Sequence, residues 1–292
     1  VEEKYRKIKK YDNREFFPFF SLLFILSFLF ILNLNTNGYS FRSSELSSFN
    51  QNSEIEYLPG TNYLTQDGKN CLNRESLDNL CEFQSIQNNT KIYIIGDSQI
   101  SSLVGGFLTP NILKNYNIIE LTKGGCPLLI DRCNFYNETI LYNSISNIEE
   151  SLIILGGRYQ KYFTSDPNNK DSEIHLLDTI KFLTKNNNTV FFLSPIPEPG
   201  INERMYYLKN KSYPKFLYED WLKSVKKLNS ALEKYELSNF HIINIESIFC
   251  TNRICNFKND EFYYFLDHVH FSYYGSRKVA DKVIDSIINN SL

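Results

Sequence analysis

Two rhythms of apolar and polar positions alternate along this chain from residue 91 onward. Short runs of β-branched and aromatic residues stand apart from longer stretches in which apolar residues recur every three or four positions. The short runs are "KIYIIG" (91–96), "NIIELT" (117–122), "SLIILG" (151–156), "TVFFLSPI" (189–196) and "FHIINI" (240–245). Each is apolar on successive residues, which predicts strands buried on both faces. Between and after them come amphipathic helices. Within 215–238, Trp221, Val225, Leu228, Leu232 and Tyr235 form one stripe, and from about Ser276 Val279, Val283 and Ile287 form another. Continuous apolar strands separated by helices predict a three-layer α/β sandwich with a mostly parallel sheet.

The N-terminal part follows a third pattern. Residues 16–32, "FFPFFSLLFILSFLFIL", carry no charge. A helix of that length rises roughly 26 Å, enough for a bilayer core. No small-x-small cleavage site follows, so a membrane-spanning helix over 16–34 is expected in place of a removed signal peptide. Lys4, Arg6, Lys7, Lys9, Lys10 and Arg14 precede it, whereas Arg42 alone follows closely. The positive-inside bias then makes 1–15 a cytoplasmic basic segment and everything after the span extracytoplasmic. Residues 35–88 read as a linker or extension, rich in Asn and Ser up to about 66 and without sustained period.

Composition narrows the function classes. A net charge of −2 and no Lys/Arg block beyond the N-terminus argue against a nucleic-acid partner. Six cysteines, all beyond the span, suit an oxidising compartment. They fall into close pairs, Cys71 with Cys81, Cys126 with Cys133 and Cys250 with Cys255, and local pairing is one of the connectivities they permit. With four histidines and no Cys-x-x-Cys knuckle, no metal site is expected. The lack of a P-loop or a Gly-x-Gly-x-x-Gly after a strand points to no organic cofactor.

Candidate chemistry begins where the first strand ends. In "KIYIIGDSQISSL" (91–103), Ser98 sits at a strand-to-helix turn, the place where parallel α/β sheets bind ligands. A serine or aspartate there is also an ordinary helix N-cap. The far end of the chain adds partners: "FLDHVHFSYYG" (265–275) places Asp267 and His270 three residues apart, on one face if the segment is a helical turn. Asp267 would then orient His270, leaving its other nitrogen as a base for Ser98, while His268 points away.

Gly-Asp-Ser early and Asp-x-x-His before the last helix resemble the SGNH (GDSL-like) superfamily of esterases and acyltransferases, over 89–292. The resemblance implies a flavodoxin-like sandwich with Ser98 as nucleophile, His270 as general base and Asp267 as orienting acid. It implies an oxyanion-hole glycine in "LTKGGCPLL", at Gly125 or Gly124. The family's third block commonly reads Gly-x-Asn-Asp, but "LIILGGRYQKY" has Arg158 there and no Asn. Arg158 then supplies the missing donor, or that part of the site works differently; the plain structural alternative is an Arg158 paired with a carboxylate at the domain surface.

"GGCPLL", the Arg-aromatic third block and "HFSYYG" resemble one branch, the SGNH domains fused behind membrane acyltransferase family 3 modules. The basic "VEEKYRK" is similar to the end of such a module, which implies that the chain is the C-terminal part of a longer protein or has lost its partner module. The resemblance implies an inner-membrane protein with a periplasmic catalytic domain. It would take acyl groups, most often acetyl, from the membrane module and pass them to lipopolysaccharide or another envelope glycan. Triad chemistry serves an O-acetylesterase equally well. A degenerate glycan-binding domain and a plant-type wall-polysaccharide acetyltransferase are the other readings; the latter usually has Cys and Trp around its Asp-x-x-His.

Overall fold

The computed structural model describes residues 22–28, 30, 71–72, 81–83, 90–130, 145–165, 170–198, 206, 209–210, 216–259 and 262–290. Two compact units divide the chain, residues 1–54 and 55–292. Of the first, residues 22–28 are helical, with the apolar side chains of Leu22, Phe24 and Phe28 exposed. The rest of the span expected over 16–34 lies outside the described residues, as do the basic segment 1–15 and most of 35–88. Among the described residues no helix is long and apolar enough to cross a membrane.

The second unit is built on a six-stranded sheet. Its strands are β1 (Cys81–Phe83), β2 (Lys91–Gly96), β3 (Asn117–Thr122), β4 (Leu152–Gly156), β5 (Thr189–Leu193) and, after a two-residue strand β6 (Phe216–Leu217), β7 (Phe240–Ile243). The order across the sheet is β1-β3-β2-β4-β5-β7, parallel throughout except for the antiparallel edge strand β1. A small second sheet pairs β6 with the hairpin of β8 (Cys250–Thr251) and β9 (Ile254–Cys255).

The expected strands are therefore present, though β5 and β7 stop short of the full apolar runs. Alternating residues face opposite layers. Ile92, Ile94, Ile154 and Phe191 pack into one core with the helices α1 (Ser98–Ser101), α2 (Val104–Phe107), α3 (Pro110–Leu113) and α8 (Tyr273–Asn290). Ile95, Ile153, Leu155 and Phe192 pack into the other with α4 (Tyr159–Ser165), α5 (Lys170–Leu183) and α6 (Tyr218–Leu232). Helix α7 (Glu246–Phe249) brings Phe249 to the first core. Two cores on one sheet make the three-layer sandwich.

Trp221, Val225, Leu228 and Leu232 line the buried face of α6 as expected. Tyr235 lies past the end of that helix, edge-on to Phe240. Helix α8 starts at Tyr273, three residues earlier than the apolar period alone suggests, and buries Val279, Val283 and Ile287. Disulfides join Cys71 to Cys81 and Cys250 to Cys255. Cys126 is also disulfide-bonded, and Cys133 lies outside the described residues.

Strand order sets where chemistry can sit. The chain leaves β2 for β3 on one side and returns to β4 on the other, so the crevice opens at the carboxyl ends of β2 and β4. Beside this point β3 carries a fully buried carboxyl group. Glu120 Oε1 accepts from the hydroxyls of Ser101 (2.5 Å) and Thr122 (2.6 Å), while Oε2 has no partner among the described residues.

Burial pushes the Glu120 carboxyl up to about 7 against the pull of those two hydroxyls. An acid whose folded value is raised holds its proton longer when folded. Its stabilising contribution is therefore complete at low pH and is lost as pH climbs through about 7. The shift corresponds to about 3 kcal/mol. In Glu120→Gln the part of the melting-temperature decline between about pH 5 and 8 that this group causes is expected to vanish in thermal unfolding scans. An unchanged pH slope would refute the assignment.

Candidate active site

The turn after β2 is held from two sides. Asp97, buried, is the N-cap of α1, its Oδ1 accepting from the Gln99 N–H at 2.9 Å. Its Oδ2 accepts from the backbone N–H of Arg158, in the loop after β4, at 2.9 Å. One carboxylate thus fixes the post-β2 and post-β4 loops to each other. Burial raises its proton affinity against these hydrogen bonds and the Arg158 charge. Gly157 makes the approach possible, for its φ of +140° disfavours any side chain. A Cβ there would lie 3.0 Å from the Pro127 side chain and 3.1 Å from that of Asp97.

Ser98 follows Asp97, half-buried. Its Oγ is 3.1 Å from Nε2 of His270. Nδ1 of the same ring is 2.7 Å from Oδ2 of Asp267, whose Oδ1 accepts from the backbone N–H groups of Val269 and His270 at 2.8 Å each. Burial opposes the charge on Asp267, but the hydrogen bonds from His270 and Val269 win and hold this carboxyl well below the usual range. An ionised Asp267 accepts from Nδ1–H, which leaves Nε2 bare and able to take the Ser98 proton.

The Asp267–His270 segment is a series of bends before α8, not the helical turn the spacing suggested. Its shape comes from the two hydrogen bonds to Asp267 and from closure at its ends. Phe265 and Phe271 pair as an antiparallel bridge, Leu266 N–H donates to His270 O at 2.8 Å, and both phenyl rings are buried against Phe249. Phe271 N–H donates to Ser102 Oγ, 3.0 Å away and four residues past the nucleophile candidate. His268, between the two, is exposed.

Gly124 and Gly125 are exposed in the loop after β3, Gly125 with φ +68° and open space where a Cβ would be. Lys123 N–H donates to Gly96 O at 2.9 Å and Pro127 rests on Gly157, so this loop borders the crevice. The Ser98 N–H has no acceptor among the described residues, since the cap takes that of Gln99. An oxygen bound in the crevice thus has a backbone donor available beside the hydroxyl.

Arg158 does meet a carboxylate, that of Glu198 in the loop after β5. Nε lies 2.9 Å from Oε1 and 3.1 Å from Oε2, and Nη2 lies 2.7 Å from Oε2. Burial disfavours the guanidinium charge, but Glu198, Asp97 and Asp267 together raise its affinity for the proton. Arg158 N–H on Asp97 and Gln99 Nε2 on Glu198 tie this pair to the two residues that flank Ser98. Sequence reasoning missed Glu198, Gln99, Gln160 and the double duty of Asp97. The sole hint was that "SPIPEP" lies at the carboxyl end of a strand. Among the described residues no three His, Cys, Asp or Glu side chains are grouped to hold a metal ion.

Comparison with known proteins identifies the family and the fold. The sequence profile described as the SGNH domain fused to AT3 domains matches residues 65–285. No curated protein sequence matches the chain. The structure is similar to the periplasmic domain of a lipopolysaccharide acetyltransferase from Salmonella ser. Paratyphi A. The TM-score is 0.51 at 20% identity, over 70% of this chain and 85% of that one. It is also similar to an SGNH hydrolase from Slackia heliotrinireducens (0.47, 16%, over 68% and 100%). A third neighbour is the acetyl xylan esterase AlAXEase (0.42, 17%, over 68% and 99%). At these identities the likeness concerns the fold.

Proposed function

Since this chain belongs to the family of SGNH domains fused to AT3 domains, we propose that it is a serine O-acyltransferase that places acyl groups, acetyl first of all, on a cell-envelope polysaccharide. The observation that carries the reading is the alignment of Ser98, His270 and Asp267 at 3.1 and 2.7 Å. In this mechanism Oγ of Ser98 bonds to the acyl carbonyl carbon as its proton passes to Nε2 of His270. Asp267 stabilises the imidazolium. The charged oxygen accepts from the Ser98 N–H, the Gly125 backbone and the Arg158 guanidinium. Collapse returns the proton from His270 to the leaving group and leaves the acyl group esterified to Ser98. A sugar hydroxyl then attacks that ester, its proton passing to His270 and from there to Ser98.

The preference for transfer over hydrolysis comes from the family, in which the domain is joined to a membrane acyltransferase module. Such a module is the natural source of acyl groups, and the expected span over 16–34 would hold this domain beside it, on the periplasmic side of the inner membrane. Lipopolysaccharide, the acceptor named for the Salmonella neighbour, is the first glycan to test. Mass spectrometry of surface glycans from cells carrying the gene, lacking it, or carrying Ser98→Ala tests the proposal. Acylation should require the gene with Ser98 intact. Identical acylation in all three strains would end the enzyme reading, and greater acylation without the gene would favour an O-acetylesterase.

By the resemblance read from the sequence, Arg158 falls in the block where an asparagine donor is common. Arg158→Ala is expected to lower kcat/KM about 10²-fold, the loss typical of one oxyanion donor, measured as turnover of p-nitrophenyl acetate. Unchanged turnover would remove Arg158 from the site.

A further inference from the structure

Glu198 is the meeting point of the loops that form the crevice. Beyond its fork to Arg158, its Oε1 accepts from Nε2 of Gln99 at 2.9 Å and from Nε2 of Gln160 at 3.1 Å. Gln99 directly follows Ser98, so the residue beside the hydroxyl is tied to the loop after β5. The same Gln99 amide donates to Val269 O at 3.3 Å, while the His270 N–H donates to Asp267 Oδ1 at 2.8 Å. The peptide preceding His270 is therefore gripped on both sides. Groups that follow β2 and β4 meet this carboxylate after β5, and the segment before α8 is joined to it through Gln99.

The Glu198 side chain is only 14% exposed, and it is the acceptor for three different side chains at once. A bidentate fork also fixes the guanidinium plane. With Nε and Nη2 held, Nη1 has no acceptor among the described residues. It is the part of Arg158 left to face a ligand, and lysine has no equivalent.

We infer that Glu198 is a positioning residue: it aims the Arg158 guanidinium at the oxygen that becomes charged and sets the Ser98 and His270 loops in register. The inference rests on the serine chemistry proposed above. It makes Glu198 effective mainly through Arg158, so its removal should slow the chemical step and leave substrate binding nearly unchanged.

The test is a double-mutant cycle on the full chain in detergent, with p-nitrophenyl acetate as the probe. Glu198→Gln keeps size and one acceptor oxygen but cannot hold the charged fork. It is expected to lower kcat roughly 10- to 100-fold, no more than the loss of the Arg158 donor itself, with KM changed less than about twofold. In an Arg158→Ala background the same change should cause only a small further fall, what remains of its hold on Gln99 and Gln160. Arg158→Lys, which keeps the charge and leaves Glu198 in place, should lose as much as Glu198→Gln, because an ammonium cannot form the fork. This variant keeps the question answerable if Glu198→Gln does not fold.

Equal kcat in Glu198→Gln and the parent overturns the inference, as does an undiminished further loss in the Arg158→Ala background. Arg158→Lys at parental kcat overturns it as well. A parent no more active than Ser98→Ala would instead sink the serine chemistry itself, and this inference with it. The two failures are therefore distinguishable.

Discussion

Ser98→Ala should reduce turnover of p-nitrophenyl acetate by about 10⁵-fold or more, to the level that bound but uncatalysed ester shows. The substitution removes one half-buried hydroxyl whose partner is Nε2 of His270. Little else depends on that oxygen: the α1 cap is made by Asp97, and the neighbouring loop contacts run through Gln99 and Ser102. The melting temperature should therefore stay within a degree or two of the parent, since surface and half-buried changes without lost packing are small. The loss of activity then reports chemistry and not folding. Intact-protein mass spectrometry after brief mixing with the ester should show an added acetyl group on the parent and none on the variant. Turnover surviving in Ser98→Ala would mean that another group is the nucleophile.

Asp267→Asn should be nearly as damaging, with kcat about 10⁴-fold lower, through a subtler route. The amide keeps the size of the carboxylate, and its oxygen can still accept from the Val269 and His270 N–H groups. Its nitrogen, however, now donates towards Nδ1, which favours the imidazole tautomer with a proton on Nε2. That nitrogen cannot take the Ser98 proton. Because Asp267 is held well below the usual carboxylate range, it is ionised throughout the pH range of an assay. The carboxylate therefore does not set the acid limb of the parent's pH–rate profile. In Asp267→Asn the fall should appear in kcat at every pH. Recovery of parental rates at high pH would contradict the tautomer argument.

These predictions differ in how much of their basis was legible in the linear chain. Ser98, Asp267 and His270 stood out because their chemistry is local: a turn residue after an apolar strand, and an acid–base pair three residues apart. The layers were equally legible. Ile94 and Ile95, or Phe191 and Phe192, are apolar side by side because both faces of their strands are covered. Glu198 was not legible. It is a single carboxylate among prolines, 40 residues from Arg158 and 99 from Gln99, and no periodic pattern marks a residue whose partners lie on other loops. The bends around Asp267 were misread for a related reason. Spacing alone cannot tell a helical turn from a loop closed by the Phe265–Phe271 bridge.

Local order therefore carried the strands, the amphipathic helices and the types of reacting group, because backbone periodicity and side-chain chemistry act over a few residues. Two matters waited for the folded chain: that 172 residues of separation close to a 3.1 Å contact between Ser98 and His270, and that Arg158 is aimed by Glu198. Both depend on strand order, which brings the carboxyl ends of β2, β4 and β5 side by side. Strand order is set by how two hydrophobic cores are shared across one sheet, a balance over the whole domain that no short stretch of residues contains.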